Sequence, residues 1–300
     1  MKNINPNLKS LPVDYLYHLG LDTSMDLKKI FGDTRFVCMG GSAERAKTFA
    51  QKIKNELGQQ FGVQHFGHLE PIGKTERFSL YKVGPVISVS HGMGMPSMTI
   101  LLHEITKLLY YVGCLDPICF RIGTSGGIGL PGGAVVVTEE GLNGKLEPYY
   151  ELPVLGEVRR YPTTFDTKLI HAIAACGNGL NVHIGKTMGV DCFYEGQGRL
   201  DGALDPEYTE EQKFAFLRKL HSLGARNIEM EACAFGAFCH RAGIKGAVIC
   251  TTLLDRLQGD QVTSTKEELA AFSDNAQQLA INFIKSVIAS ERNERGDPDQ

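Results

Sequence analysis

The sequence predicts a single α/β domain in which a β-sheet is covered by helices. Three observations carry that prediction. Short apolar, β-branched runs alternate with segments whose apolar residues recur at helical spacing. Nowhere in the 300 residues does the composition shift as it would at a linker, and no internal repeat is found. Hydrophobic residues make up 43% and charged residues 22%, which supplies a core and excludes a disordered chain.

Taken in order, residues 34–39 (TRFVCM) read as a buried strand that Gly40-Gly41 ends. Ser42 then caps a helix whose apolar positions are Ala43, Ala46, Phe49, Ala50, Ile53 and Leu57, closed by Gly58. Residues 78–83 and 86–90 flank the turn pair Gly84-Pro85 and predict a hairpin. Pro96 suits a first helical position, and residues 97–112 form a strongly apolar helix stopped by Gly113. Residues 118–122 and 134–138 read as buried strands. Thr209-x-x-Gln212 is a capping box for a helix reaching Leu220. A short strand (228–230), a helix (232–241) and a buried strand (246–252) follow. Ser264-x-x-Glu267 opens a long terminal helix with Leu269, Phe272, Ala276, Leu279, Phe283 and Val287 on one face. The last ten residues, 291–300, are charged and expected to be a disordered tail.

A net charge of −3 and a pI near 6.3 give no bulk attraction to nucleic acid or to an acidic membrane. The N-terminus has no apolar signal region, and the longest apolar runs fall far short of the ~18 residues of a membrane span. The eight cysteines include no C-x-x-C pair and are too sparse for a disulfide scaffold. They read as buried free thiols, which predicts a cytoplasmic protein.

Two motifs fail on context. Gly127-Ile-Gly129-Leu-Pro-Gly132 matches G-x-G-x-x-G, and Gly123-Thr-Ser125-Gly-Gly127 matches G-x-S-x-G. Both patterns need a helix to open at the glycines, and here a β-branched strand follows. No P-loop sequence occurs. His65-x-x-His68 lacks a companion ligand set, so a metal role is not favoured.

An anion site survives. Gly40-Gly41-Ser-Ala-Glu-Arg45 joins a strand to a helix, where backbone N–H groups favour an anion and Arg45 can swing toward it. Arg121 lies in an apolar strand before a glycine-rich turn that carries Thr124, so it should meet an anion or a carboxylate. Arg77 precedes another strand. Each arginine alone reads as a structural ion pair, but two on glycine-rich strand ends favour phosphate. Phe193, Gln197 and Arg199 combine an aromatic face, a carboxamide and a guanidinium within seven residues, a set that suits the imide edge of uracil. Glu229 and Glu231 share one face with Met230 on the other. They read either as helix-dipole carboxylates or as acceptors for a vicinal diol.

At Ser88-Val-Ser-His-Gly-Met-Gly-Met-Pro-Ser97, running on to Glu104, the chain resembles the signature of the nucleoside phosphorylase-I family. Residues 40–45, 121–129, 193–202, 227–231 and 253–260 resemble the animal-type members that act on uridine, and the likeness spans about residues 5–288. The resemblance implies a central mixed sheet partly closed into a barrel and flanked by helices. The phosphorylase domain would be residues 31–290, and residues 1–30 an N-terminal arm reaching a partner subunit. It implies reversible phosphorolysis of uridine to uracil and ribose 1-phosphate, with no cofactor and no metal. Gly41, Arg45, Arg121 and Thr124 would hold phosphate, with Arg77 supplied by the neighbouring subunit. Gln197 and Arg199 would read uracil beside Phe193. Met230 and Glu231 would hold the ribose, and His18 in the arm would reach the partner's ribose. Sharing His18 and Arg77 requires a homo-oligomer, with a dimer favoured. Asp255 stands where the uridine-specific members are expected to carry Asn and purine members an acid, although pairing with Arg256 is the favoured reading. Purine or broad specificity, a hydrolytic nucleosidase and a catalytically weak nucleoside binder are the alternatives.

Overall fold

A computed structural model describes residues 1–62, 69–73 and 75–295. In chain order, β1 (Tyr15–Leu16) and β2 (Leu21–Asp22) form an antiparallel ribbon, and α1 (Leu27–Phe31) leads into β3 (Phe36–Gly40) and α2 (Ala43–Leu57). The predicted hairpin is β4 (Leu80–Val83) and β5 (Val86–Ser90), followed by α3 (Gly94–Val112), β6 (Ile118–Gly127) and β7 (Val135–Leu142). A second antiparallel ribbon, β8 (Tyr149–Val154) and β9 (Glu157–Pro162), precedes α4 (Thr167–Ala175) and β10 (Val182–Gly189). Then come α5 (Glu210–Ser222), β11 (Ala225–Glu229), α6 (Ala232–Ala242), β12 (Lys245–Asp255) and α7 (Lys266–Arg295).

The main sheet runs β11-β10-β7-β12-β6-β3-β5-β4. β11 also pairs antiparallel with β6, through Asn227 opposite Gly127 and Ile228 opposite Gly126. That pairing closes β6, β12, β7, β10 and β11 into a five-stranded mixed barrel, from which β3, β5 and β4 extend as an open wing. One α/β domain with helices on both faces results, as the sequence predicts. Inside the barrel a chain of buried side chains ties all five strands together. Thr138 on β7 bonds Thr187 on β10 at 2.6 Å, Thr187 donates to Asn227 on β11 at 2.7 Å, and Asn227 donates to Ser125 on β6 at 3.0 Å. Ser125 in turn donates to the backbone of Thr251 on β12 at 3.1 Å. A satisfied buried polar chain of this kind fixes register, because a slipped strand would strand its members unpaired.

The glycine run after Arg121 is strand rather than turn: β6 continues to Gly127. Two of its glycines make room for buried arginines. A Cβ on Gly123 would lie 2.4 Å from Arg121 Nη1, and one on Gly126 would lie 2.8 Å from Arg256 Cγ. The rejected glycine motifs are indeed followed by β7 and not by a helix.

Several boundaries differ from expectation. α3 begins at Gly94, so Pro96 is its third residue, where a missing N–H still costs nothing. The terminal capping box is one residue later, between Thr265 and Glu268. α7 carries residues 291–295 of the expected tail. Ala276, Leu279 and Phe283 of α7 are buried as expected, with Phe283 packing edge-on against Phe120 of β6 at 5.8 Å. His65 and His68 lie outside the described residues. All eight cysteines are free, with five buried and Cys192 exposed. Among the described residues no helix is long and apolar enough to cross a membrane, and no cluster of three potential metal ligands occurs.

Candidate active site

The C-terminal ends of β3, β5, β10, β11 and β12 converge with the middle of β6 on one cavity of about 190 Å³. Ligands of open α/β sheets characteristically bind beyond the carboxyl ends of the strands. One end of the cavity is cationic. Gly41 follows β3, and Ser42 caps α2 by accepting from the N–H of Arg45 at 3.3 Å, so the helix N-terminus points into the space. Arg45 donates to Thr124 Oγ1 at 3.4 Å, which brings two predicted phosphate residues together. Arg121 completes this wall.

Arg121 is buried; its Nη1 donates to Cys250 Sγ at 2.7 Å, and its Nη2 faces carboxylates, as an arginine in an apolar strand requires. Its Nη2 lies 3.0 Å from Glu229 and also pairs with Glu231. Glu229 ends β11 and Glu231 precedes α6, so the strand-to-helix turn delivers both acids to one guanidinium. Burial works against the charge of both carboxyls. For Glu231 the charge of Arg121 and the N–H of Gly94 outweigh burial and hold its carboxyl below the usual range, whereas Glu229 stays raised. Both carboxyls face Arg121 and line the cavity, and Glu229 also accepts the backbone N–H groups of Glu231 and Ala232.

The other end is polar and aromatic. The loop after β10 turns at Glu195–Gln197 and presents Phe193, Gln197 and Arg199. Gln197 is buried and lines the cavity. Arg199 is held in place by a two-pronged bond to Asp201, at 2.8 and 2.6 Å, and by donation to the backbone of Asp260 at 2.9 Å. Phe193 stacks on its guanidinium, 4.5 Å from ring centre to Cζ.

A support that the sequence reading missed lies beneath this loop. Arg256 is fully buried, and its Nη2 donates to the carbonyl of Gln197 at 2.9 Å while its Nε donates to Asp260 at 3.0 Å. Asp260 also accepts from Lys213 at 2.7 Å and from the N–H of Leu200 at 3.0 Å. Burial opposes its charge, but these donors prevail and keep its carboxyl below the usual range. Arg256 Nη1 has no partner among the described residues, and the side chain lines the cavity. The signal that could have found it is its place in the 253–260 motif. Asp255 turns away from Arg256, contrary to the favoured pairing. Its carboxylate accepts the N–H groups of Gly129 and Leu257, both at 3.0 Å, and it does not line the cavity.

Of the predicted site residues, Gly41, Arg45, Arg121, Thr124, Phe193, Gln197, Arg199, Met230 and Glu231 all line this one cavity. His18 and Arg77 do not. His18 is anchored on α3, its Nδ1 2.6 Å from Glu104, which also accepts the backbone N–H of His18 and of Leu19. Arg77 is exposed.

Two arginines on glycine-rich strand ends, a buried pair of carboxylates and a carboxamide beside a guanidinium line one cavity, an arrangement that fits an enzyme of the nucleoside phosphorylase class. The model of the phosphorylase superfamily matches residues 35–289. Uridine phosphorylase 1 of Mus musculus is 45% identical over 288 residues, 95% of this chain and 92% of that protein. A solved uridine phosphorylase from the oomycete Phytophthora capsici is 46% identical, with a TM-score of 0.89 over 95% of this chain and 97% of that one. The uridine phosphorylase of Schistosoma mansoni, solved in complex with uracil, is 38% identical with a TM-score of 0.88 over 94% and 98% of the two chains. The chain belongs to the phosphorylase superfamily and, within it, to the animal-type uridine phosphorylases.

Proposed function

We propose that the protein catalyses the reversible phosphorolysis of uridine, giving uracil and ribose 1-phosphate, in pyrimidine salvage. The observation that carries this reading is the placement of Arg45, Arg121 and Thr124 within one cavity with Gln197 and Arg199. Cleavage of the glycosidic bond builds positive charge on the ribose and negative charge on the departing uracil. Phosphate on Arg45 and Arg121 lies beside the developing cation and captures it, while Glu231 accepts from the ribose hydroxyls. Gln197 and Arg199 meet the base where its charge grows, as an oxyanion hole does. The reading needs no cofactor and no metal.

His18 and Arg77 act across a subunit boundary in this proposal. Glu104 fixes the arm and takes up Nδ1 of His18, which leaves Nε2 free for a ribose hydroxyl in the partner's site. A cytoplasmic homodimer is the assembly proposed.

Asp255 offers no acid to a purine, because its carboxylate is tied to two backbone N–H groups outside the cavity. Ultraviolet assays with uridine and with inosine test the base. Uridine turnover is expected to exceed inosine turnover by at least a hundredfold, and Asp255→Asn is expected to leave that ratio within about twofold, since an amide oxygen can accept the same two bonds. Comparable turnover of inosine, or a preference that moves with Asp255, would refute the uridine assignment.

A further inference from the structure

His91 sits between β5 and α3 with its backbone pinned on both sides. Its N–H donates to Gly40 at 2.8 Å, and its carbonyl accepts from Ser97 at 2.5 Å. The side chain is 1% exposed and lines the cavity with Arg45, Arg121 and Glu231. Neither ring nitrogen has a hydrogen-bond partner among the described residues. An imidazole buried with both polar atoms unmet is a costly choice where an apolar side chain would fit, and such groups call for an explanation.

We infer that His91 is a binding residue that joins the two substrates, donating from one ring nitrogen to phosphate and accepting from a ribose hydroxyl on the other. This rests on the phosphorolysis reading of the same cavity. Burial and then the charge of Arg121 push the imidazole down to about 3, opposed by Glu231, with Arg45 adding a smaller push in the same direction as Arg121. The ring is therefore neutral, with one donor and one acceptor. Phosphate dianion offers only acceptors, and a ribose hydroxyl can donate, so the two ligands on either side of His91 match its two nitrogens. The Gly40-to-His91 bond ties the backbone of His91 to the strand end before Gly41, and the ring lines the cavity together with Arg45, Arg121 and Glu231, the residues assigned to phosphate and ribose.

The test compares His91→Leu, which keeps volume and removes both polar atoms, with His91→Asn, which keeps a donor and an acceptor. KM and kcat are measured for uridine and inorganic phosphate, beside thermal melting. His91→Leu is expected to raise both KM values by about 10–100-fold, the size of lost hydrogen bonds to charged or hydroxyl groups. Its melting temperature should equal or exceed that of the wild type, because two unmet polar atoms leave the interior. His91→Asn is expected to recover both KM values to within about fivefold of wild type. Two results overturn the inference: a leucine variant with both KM values within twofold of wild type, or a variant that melts earlier and is not rescued by asparagine. Wild-type turnover of uridine that ignores phosphate would instead overturn the phosphorolysis reading itself.

Discussion

Replacing Arg121 with methionine is expected to destabilise the protein by about 3–5 kcal/mol and to abolish measurable phosphorolysis. The size follows from breaking a buried ion pair by removing one partner, which leaves its charge uncompensated. Here two carboxylates, Glu229 and Glu231, converge on that one guanidinium, and all three side chains are buried. The same substitution strips the phosphate wall of its deepest cation. Urea unfolding and phosphate-dependent turnover separate the two effects. Arg121→Met combined with Glu229→Gln should regain part of the stability and none of the turnover, because neutralising one acid relieves the interior and restores no phosphate ligand. An Arg121→Met protein with an unchanged unfolding midpoint would show that the pair is not what holds β6 to the turn after β11.

Arg199→Ala is expected to behave in the opposite way, losing about 10²–10³ in kcat while melting within a few degrees of wild type. Removal of one preorganised donor facing a developing anion typically costs that much. The loss of stability is small because the charged partner left behind, Asp201, has a side chain 24% exposed and can be hydrated again, leaving only the Asp260 carbonyl short of one donor. Steady-state kinetics with uridine, beside thermal melting, decide it. Turnover within tenfold of wild type would remove Arg199 from the base-binding group.

The contrast between these arginines shows what could be read before the fold was known. Arg121 was legible as a buried cation in need of an anion, since its neighbours in the sequence are apolar. That its partners are Glu229 and Glu231 was not, because the strand-to-helix turn that presents them lies more than a hundred residues away. The glycines after Arg121 read as a turn because glycine is a poor strand former, and their reason is spatial: Arg121 and Arg256 lie across them. β10 went unread because glycines break its apolar pattern, and the β8–β9 ribbon because its charged, exposed residues show no buried face. Alternating strands and helices, by contrast, were plain, and the glycine-rich strand ends and the 193–199 loop that the sequence singles out come to line one cavity. His91 and Arg256 stood inside recognised motifs, but their roles depend on burial and unmet nitrogens, which no spacing displays.

In the proposed reaction phosphate, not water, takes the ribose. Phosphorus-31 spectra of the protein with uridine and inorganic phosphate test it directly. A sugar 1-phosphate resonance should grow in step with uracil release, and no uracil should form when phosphate is omitted. Uracil released at the same rate without phosphate, with free ribose as the other product, would contradict the account.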